Sequence, residues 1–281
     1  MDWSDWAVWV AVVAVAVVMV LYVRLMRKNR RLHRMAEEAR RLRLQSEQSE
    51  QRNRQLKQEM TSNIAHELKT PVSSIRGYLE ILLGEKPLDE ARRRHFLERC
   101  YRQTLRLSDL IQDVSLINKI EESAELFPRE EVDVNRVVAE VFSDLADAAA
   151  GAGVTLTSRL PGAMPVSGNR ELLYGIFRNL TENAVAYAGE GVEAAVELYR
   201  DTAECYYIHF YDTGRGVADA SLPQLFDRFV RLDEGRSRSS GGTGLGLSIV
   251  KHAVLFHGGE IYAKNRPGGG LEFFFSLRRG G

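Results

Sequence analysis

The chain has 281 residues, 44% hydrophobic and 27% charged, which is enough apolar mass for a real core and enough length for an anchor and two soluble modules. Lys+Arg and Asp+Glu both number 38, so global charge argues neither for nor against nucleic acid. Cys100 and Cys205 lie far apart without metal-ligand spacing, which argues against a disulfide framework or a zinc site and suits a reducing cytosol.

Residues 6–23 form an uncharged apolar run, which as a helix covers about 27 Å and reaches across a hydrocarbon core. Asp2 and Asp5 precede it, and Arg24, Arg27, Lys28, Arg30, Arg31 and Arg34 follow it. A cleaved signal peptide has the opposite charge order, so the run reads as a retained anchor with the N-terminus outside and the remainder cytoplasmic. Trp3, Trp6 and Trp9 fit the outer interface and Tyr22 the inner one. With residues 1–5 alone ahead of the run, no extracytoplasmic sensor domain is expected.

Residues 24–59 contain no Gly or Pro and read as one long helix. Leu25, Leu32, Ala39, Ser46, Asn53 and Met60 recur at one heptad position, with Lys28, Met35, Leu42, Ser49 and Leu56 at the other. This seam, with its polar middle, predicts a parallel coiled coil that is easily rotated or unwound. Anionic lipid headgroups suit the Arg-rich start of the segment better than nucleic acid does.

Residues 66–71 read His66, Glu67, Leu68, Lys69, Thr70, Pro71. A neutral imidazole attacks a phosphorus when its second ring nitrogen is held by an acceptor, and Glu67 is placed to orient the ring and take its proton. Pro71 removes the amide that would bond the Glu67 carbonyl, so a bend is expected there. Thr70 shares the face of His66. This segment resembles the phosphoacceptor box of sensor histidine kinases. The resemblance implies that His66 is phosphorylated and that Thr70 orients a water for the reverse hydrolysis. Met60, Ile64, Ile75, Leu79 and Leu82 give the helix its apolar face, and a turn at 84–88 leads into a second helix over 89–120. Phe96, Cys100, Leu107, Leu110, Val114 and Ile117 line that second helix. One such hairpin cannot bury both faces, so two copies forming a four-helix bundle are expected.

Beyond Pro128 the pattern mixes helix and strand. Helices are expected over 134–150, 169–188 and from Gly242 through His252, and strands over 154–160, 194–199, 206–211, 259–263 and 271–277. Asn183 offers an amide oxygen suited to Mg²⁺ on phosphates. Asp212, at a strand end, suits the amino group of adenine, and Gly214 and Gly216 let backbone approach the base. Gly242, Gly244 and Gly246 open a helix whose amides suit phosphate oxygens. In this order the motifs are similar to the ATP-binding domain of histidine kinases, gyrase and a class of chaperone ATPases, and the whole resemblance covers residues 60–279. It implies ATP contacts from Asn179, Asn183, Asp212, Gly214, Gly216, Gly242, Thr243, Gly244, Leu245 and Gly246. Asn179 stands where the related ATPases carry a water-activating glutamate, and an amide is no base, which favours kinase over ATPase. Glu182 points about 100° away from Asn183 and is a poor substitute. Ala186 replaces a lysine frequent in the family, leaving Arg228, Arg236, Arg238 or Lys251 to supply charge. His209, His252 and His257 are expected to be structural.

The expected architecture is α plus α/β: a single transmembrane helix (6–23), a signalling helix (24–59), a dimerising phosphotransfer hairpin (60–122) and an α/β sandwich ATP-binding domain (129–279). The family resemblance implies a homodimer using ATP and Mg²⁺, with a response regulator as partner. A membrane ATPase and a scaffold or phosphatase are the rival readings.

Overall fold

The structure is a computed structural model that describes residues 60–84, 88–122, 124–231 and 242–280, with isolated residues 19, 22, 24–26, 40, 43, 51 and 58 ahead of them. The anchor, the coiled coil and most of the loop carrying Arg236 and Arg238 lie outside the described residues, among which no helix is long and apolar enough to cross a membrane. Two compact units divide the chain, Met1–Ser62 and Asn63–Gly281. The elements below lie in the second unit, apart from the first residues of α1.

Helix α1 covers 60–83 and stays helical through the buried Pro71. Helix α2, Glu90–Glu122, is opened by Asp89, whose carboxylate accepts the Arg92 amide at 2.7 Å. The hairpin closes through a stack of Tyr78 on Phe96, 5.8 Å between centroids. Within α2, Leu110 and Ile117 are buried, whereas Phe96, Cys100, Leu107 and Val114 are only half-buried. Cys100 and Cys205 are both free thiols.

The α/β domain starts with β1 (Glu130–Asp133), whose last residue caps α3 (Val134–Asp144). Asp133 Oδ1 accepts the Asn135 amide at 3.1 Å and the Met164 amide at 2.9 Å, tying the start of α3 to the residue ahead of Pro165. The expected single helix over 134–150 is two, because Leu145 leaves helical geometry (φ −101°, ψ 4°) before α4 (Ala146–Gly151). Then come β2 (Val154–Arg159), β3 (Pro165–Gly168) and α5 (Arg170–Tyr187), the last capped by Asn169, which accepts the Leu172 amide at 3.1 Å. Strands β4 (Val192–Asp201) and β5 (Cys205–Asp212), helix α6 (Gly246–Phe256), and strands β6 (Ile261–Asn265) and β7 (Leu271–Arg278) complete the domain.

One sheet runs β2-β4-β5-β7-β6, parallel at β2–β4 and antiparallel elsewhere; β1 and β3 make a small antiparallel pair of their own. Alternation in β5 assigns its faces. Tyr206, Ile208 and Phe210 join the apolar core with Ile176, Phe177 and Leu180 of α5 and Val250, Ala253 and Val254 of α6. The intervening residues meet the aromatic side chains of the opposite face, where His209 stacks on Phe274 at 4.3 Å and Tyr262 on Phe274 at 5.1 Å. This layering puts the C-terminal end of β5, the exposed turns of α5 and the start of α6 in one region of the domain.

Candidate active site

Residue 66 sits on the outer face of α1. The His66 side chain is 81% exposed, and its Nδ1 lies 4.0 Å from Glu67 Oε1. The other carboxylate oxygen of Glu67 reaches into the hairpin, where Oε2 accepts from Arg106 Nη2 at 3.3 Å. Arg231, from the α/β domain, places Nη1 3.9 Å from the same oxygen. One turn on from His66, the exposed Thr70 returns its hydroxyl to the His66 carbonyl at 3.4 Å.

In the α/β domain the Asn179 amide donates to the Gly175 carbonyl at 2.8 Å, and its oxygen abuts Gly246, where an added Cβ would stand 2.5 Å away. Glu182 pairs with Arg178 at 2.8 Å. Asn183 has a buried Nδ2 that finds no hydrogen-bond partner among the described residues. Oxygen and nitrogen of an amide are interchangeable by a flip, so Asn183 keeps one terminal atom unspent, which fits a metal-bound phosphate. The chemistry of this donor suits Mg²⁺, a hard cation that takes one or two protein oxygens beside phosphate.

Asp212 ends β5 almost fully buried, and both of its hydrogen bonds fall on Oδ1, from the Gly214 amide at 2.9 Å and the Leu271 amide at 3.4 Å. Oδ2 accepts no such bond among the described residues. Burial holds the carboxyl above the usual carboxylate range, opposed by those two amides and by Arg266. The two glycines of this turn have an internal reason to be glycine: a Cβ at Gly214 would lie 2.4 Å from the Ala188 carbonyl oxygen, and one at Gly216 (φ 68°) 2.7 Å from Asn265 Oδ1. Asn265 also accepts the Val217 amide at 2.9 Å and donates to its carbonyl at 2.7 Å, clamping the turn.

The third glycine motif begins a helix later than its sequence suggests. Gly246 is the first residue of α6, which runs to Phe256 rather than stopping near His252. Ahead of it Gly244 (φ 74°) accepts the Phe229 amide at 2.8 Å, closing the loop at its base. The Thr243 hydroxyl accepts the Leu245 amide at 3.2 Å and donates to Asp113 of α2 at 2.7 Å. Gly242 packs near the Tyr187 hydroxyl, and Leu245 is fully buried. The histidines have protein partners. His209 faces Glu197 at 3.1 Å, His252 faces the Ser248 carbonyl at 2.7 Å, and the buried His257 lies between the Ala253 carbonyl and the Asn169 amide. Burial pushes the His257 pKa down.

Arg106, Asp113, Arg231 and Asn265 were not singled out by motif. Arg106 is a cation beside Leu107 inside the apolar pattern of α2, which is a signal of sorts; the other three carry none.

The chain thus combines a helical hairpin bearing an exposed histidine with an α/β sandwich that gathers three polar motifs. Residues 56–123 match the His Kinase A (phospho-acceptor) domain, and residues 168–281 match the histidine kinase-, DNA gyrase B- and HSP90-like ATPase family. Among curated proteins, the sensor-like histidine kinase SenX3 of Mycolicibacterium smegmatis is 34% identical over 226 residues, covering 80% of this chain and 58% of that protein. The Acinetobacter baumannii histidine kinase AdeS shares the fold with a TM-score of 0.62 at 24% identity, over 77% of this chain and 98% of that one. The histidine kinase ThkA, solved in complex with the response regulator protein TrrA, also has a TM-score of 0.62, at 20% identity, over 79% of this chain and 61% of that one. This chain belongs to the two-component sensor histidine kinases. It spans little more than half the length of the SenX3 relative.

Proposed function

We propose that the chain is a membrane-anchored histidine kinase that transfers the γ-phosphoryl group of ATP to its own His66 and then to an aspartate of a response regulator. The observation that carries this reading is the exposed His66 with Nδ1 facing Glu67, in a chain whose Asn179 is spent on a backbone carbonyl. With Nδ1 toward Glu67, Nε2 is the nucleophile. Its lone pair forms the N–P bond as the bond from phosphorus to the β,γ-bridging oxygen breaks, ADP leaves with that electron pair, and the Nδ1 proton passes to Glu67. Asn183 would hold Mg²⁺, which would neutralise charge on the phosphates. Asp212, through Oδ2, is the carboxylate for the adenine amino group, and the amides at Gly244 to Gly246 face phosphate. Thr70, exposed on the His66 face, supports hydrolysis of the phosphorylated regulator as a second activity. ThkA was solved with a response regulator, which supports a partner of that class here. The uncharged run 6–23 with cations behind it supports the anchor and a cytoplasmic catalytic portion.

The test uses the full chain in detergent micelles with γ-labelled ATP and Mg²⁺. Acid-labile, base-stable label on the parent, absent from His66→Gln and Asn183→Ala, is the expected result. Bound ATP turned over to free phosphate without labelled protein would replace the kinase with an ATPase.

A further inference from the structure

Glu67 has a geometric problem to solve. Neighbouring residues on an α-helix project about 100° apart, so the helix alone does not aim the Glu67 carboxylate at the His66 ring. The structure shows what holds it. Arg106 of α2 takes Oε2 at 3.3 Å, in a pair that is 15% and 22% exposed, and Arg231 brings a second guanidinium to 3.9 Å of the same oxygen. Among the described residues both guanidinium contacts fall on Oε2, and Oε1 is the oxygen toward Nδ1 of His66. Arg106 lies well inside the hairpin, where burial and the nearby Arg231 pull its pKa down while Glu67 works against them.

Resting on the kinase reading above, we infer that Arg106 is a positioning residue for phosphotransfer, holding Glu67 by Oε2 so that Oε1 is presented to the Nδ1 proton of His66. A guanidinium suits this task because its planar fork fixes a carboxylate in orientation, whereas an ammonium fixes only its distance. Arg231 makes the arrangement sensitive to the α/β domain. Among the described residues its buried Nε and Nη2 have no hydrogen-bond partner, and its Nη1 approaches Glu67. The orientation of the acid–base carboxylate and the docking of the nucleotide-binding domain therefore meet at one oxygen atom.

The competing role is a plain α1–α2 ion pair that steadies the hairpin. A double-mutant cycle on the full chain in micelles separates the two: parent, Arg106→Gln, Glu67→Gln and the double variant, each read for kcat and KM of autophosphorylation and for its melting temperature. Arg106→Lys serves as the conservative variant that keeps the charge and the aliphatic stem. Arg106→Gln should lower kcat on the order of 10- to 100-fold with KM for ATP unchanged. Arg106→Lys should recover part of that loss, and the double variant should be no slower than Glu67→Gln alone. Equal losses multiplying in the double variant, or a lower melting temperature with kcat intact, would overturn the assignment. A parent that takes no label overturns the kinase reading and this assignment with it; a labelled parent with a multiplicative cycle overturns the Arg106 assignment alone.

Discussion

Asp113 of α2 accepts the Thr243 hydroxyl at 2.7 Å, so an acid of the hairpin is joined to the turn that opens α6. Burial raises the pKa of Asp113, with Asp109 and Glu182 adding to the effect, while the Thr243 hydrogen bond opposes it. A carboxyl whose folded pKa is raised binds its proton more tightly in the folded state, so stability falls as pH rises from the ordinary carboxylate value through the folded one. Asp113→Asn keeps an acceptor for Thr243 and removes the titration. The variant should melt with the parent at about pH 3, where both states are largely protonated, and above the parent near pH 7. A gain that shrinks as pH rises would show that the charge of Asp113 helps rather than hinders. Asp212 shifts in the same direction and also for burial first, but it stays in both proteins of this comparison and cancels.

Between helices the constraint is steric. Gly246 starts α6 against the Asn179 amide of α5, and a Cβ there would come to 2.5 Å of Oδ1. Gly175, one turn earlier on α5, meets nothing within 4 Å. Gly246→Ala should therefore cost about 1–3 kcal/mol and weaken ATP binding, whereas Gly175→Ala should stabilise by roughly 0.5–1 kcal/mol and leave binding alone. Calorimetric melting and nucleotide titration check both, and equal behaviour of the two would remove the α5–α6 contact as a determinant of the site. The same physics sorts what could be read from the residues alone. Helix α5 and strands β5 and β7 were legible to within a residue or two, because their apolar periods are long and regular. The small β1–β3 sheet was not, since Glu130 to Asp133 has no alternation and its partner lies across the whole α3–α4 segment. Strand β6 begins at Ile261 rather than Gly259 because Gly259 is taken by a close approach to the Ser276 carbonyl. The motif residues were legible as types, and their order along the chain brought out the nucleotide reading. Arg106 was not, because its partner is 39 residues away on another helix.

At the scale of the whole molecule, the hairpin is the part that is incomplete by itself. Ile64, Leu68, Leu110, Ile111 and Val114 line a groove of about 450 Å³ between α1 and α2. Within it Ile111 is 55% exposed, a large side chain of apolar surface left open on the hairpin. The α/β domain, by contrast, has a continuous buried core, to which α2 adds Ile120 and Leu116. A second copy of the same hairpin, expected from the sequence pattern, would match such a face helix for helix in a four-helix bundle. Ile111→Glu places a carboxylate at the centre of that contact, where desolvating an unpaired charge costs several kcal/mol, a large share of what holds two helical hairpins together. Light scattering of the full chain in micelles, corrected for detergent, should give the mass of two chains for the parent and one for Ile111→Glu. ATP affinity should be equal in the two, because the nucleotide motifs all lie in the α/β domain. A parent of single-chain mass, or a variant that remains paired, would mean that this groove is covered by something other than a second hairpin, and the bundle would then have to be sought elsewhere on α1 and α2.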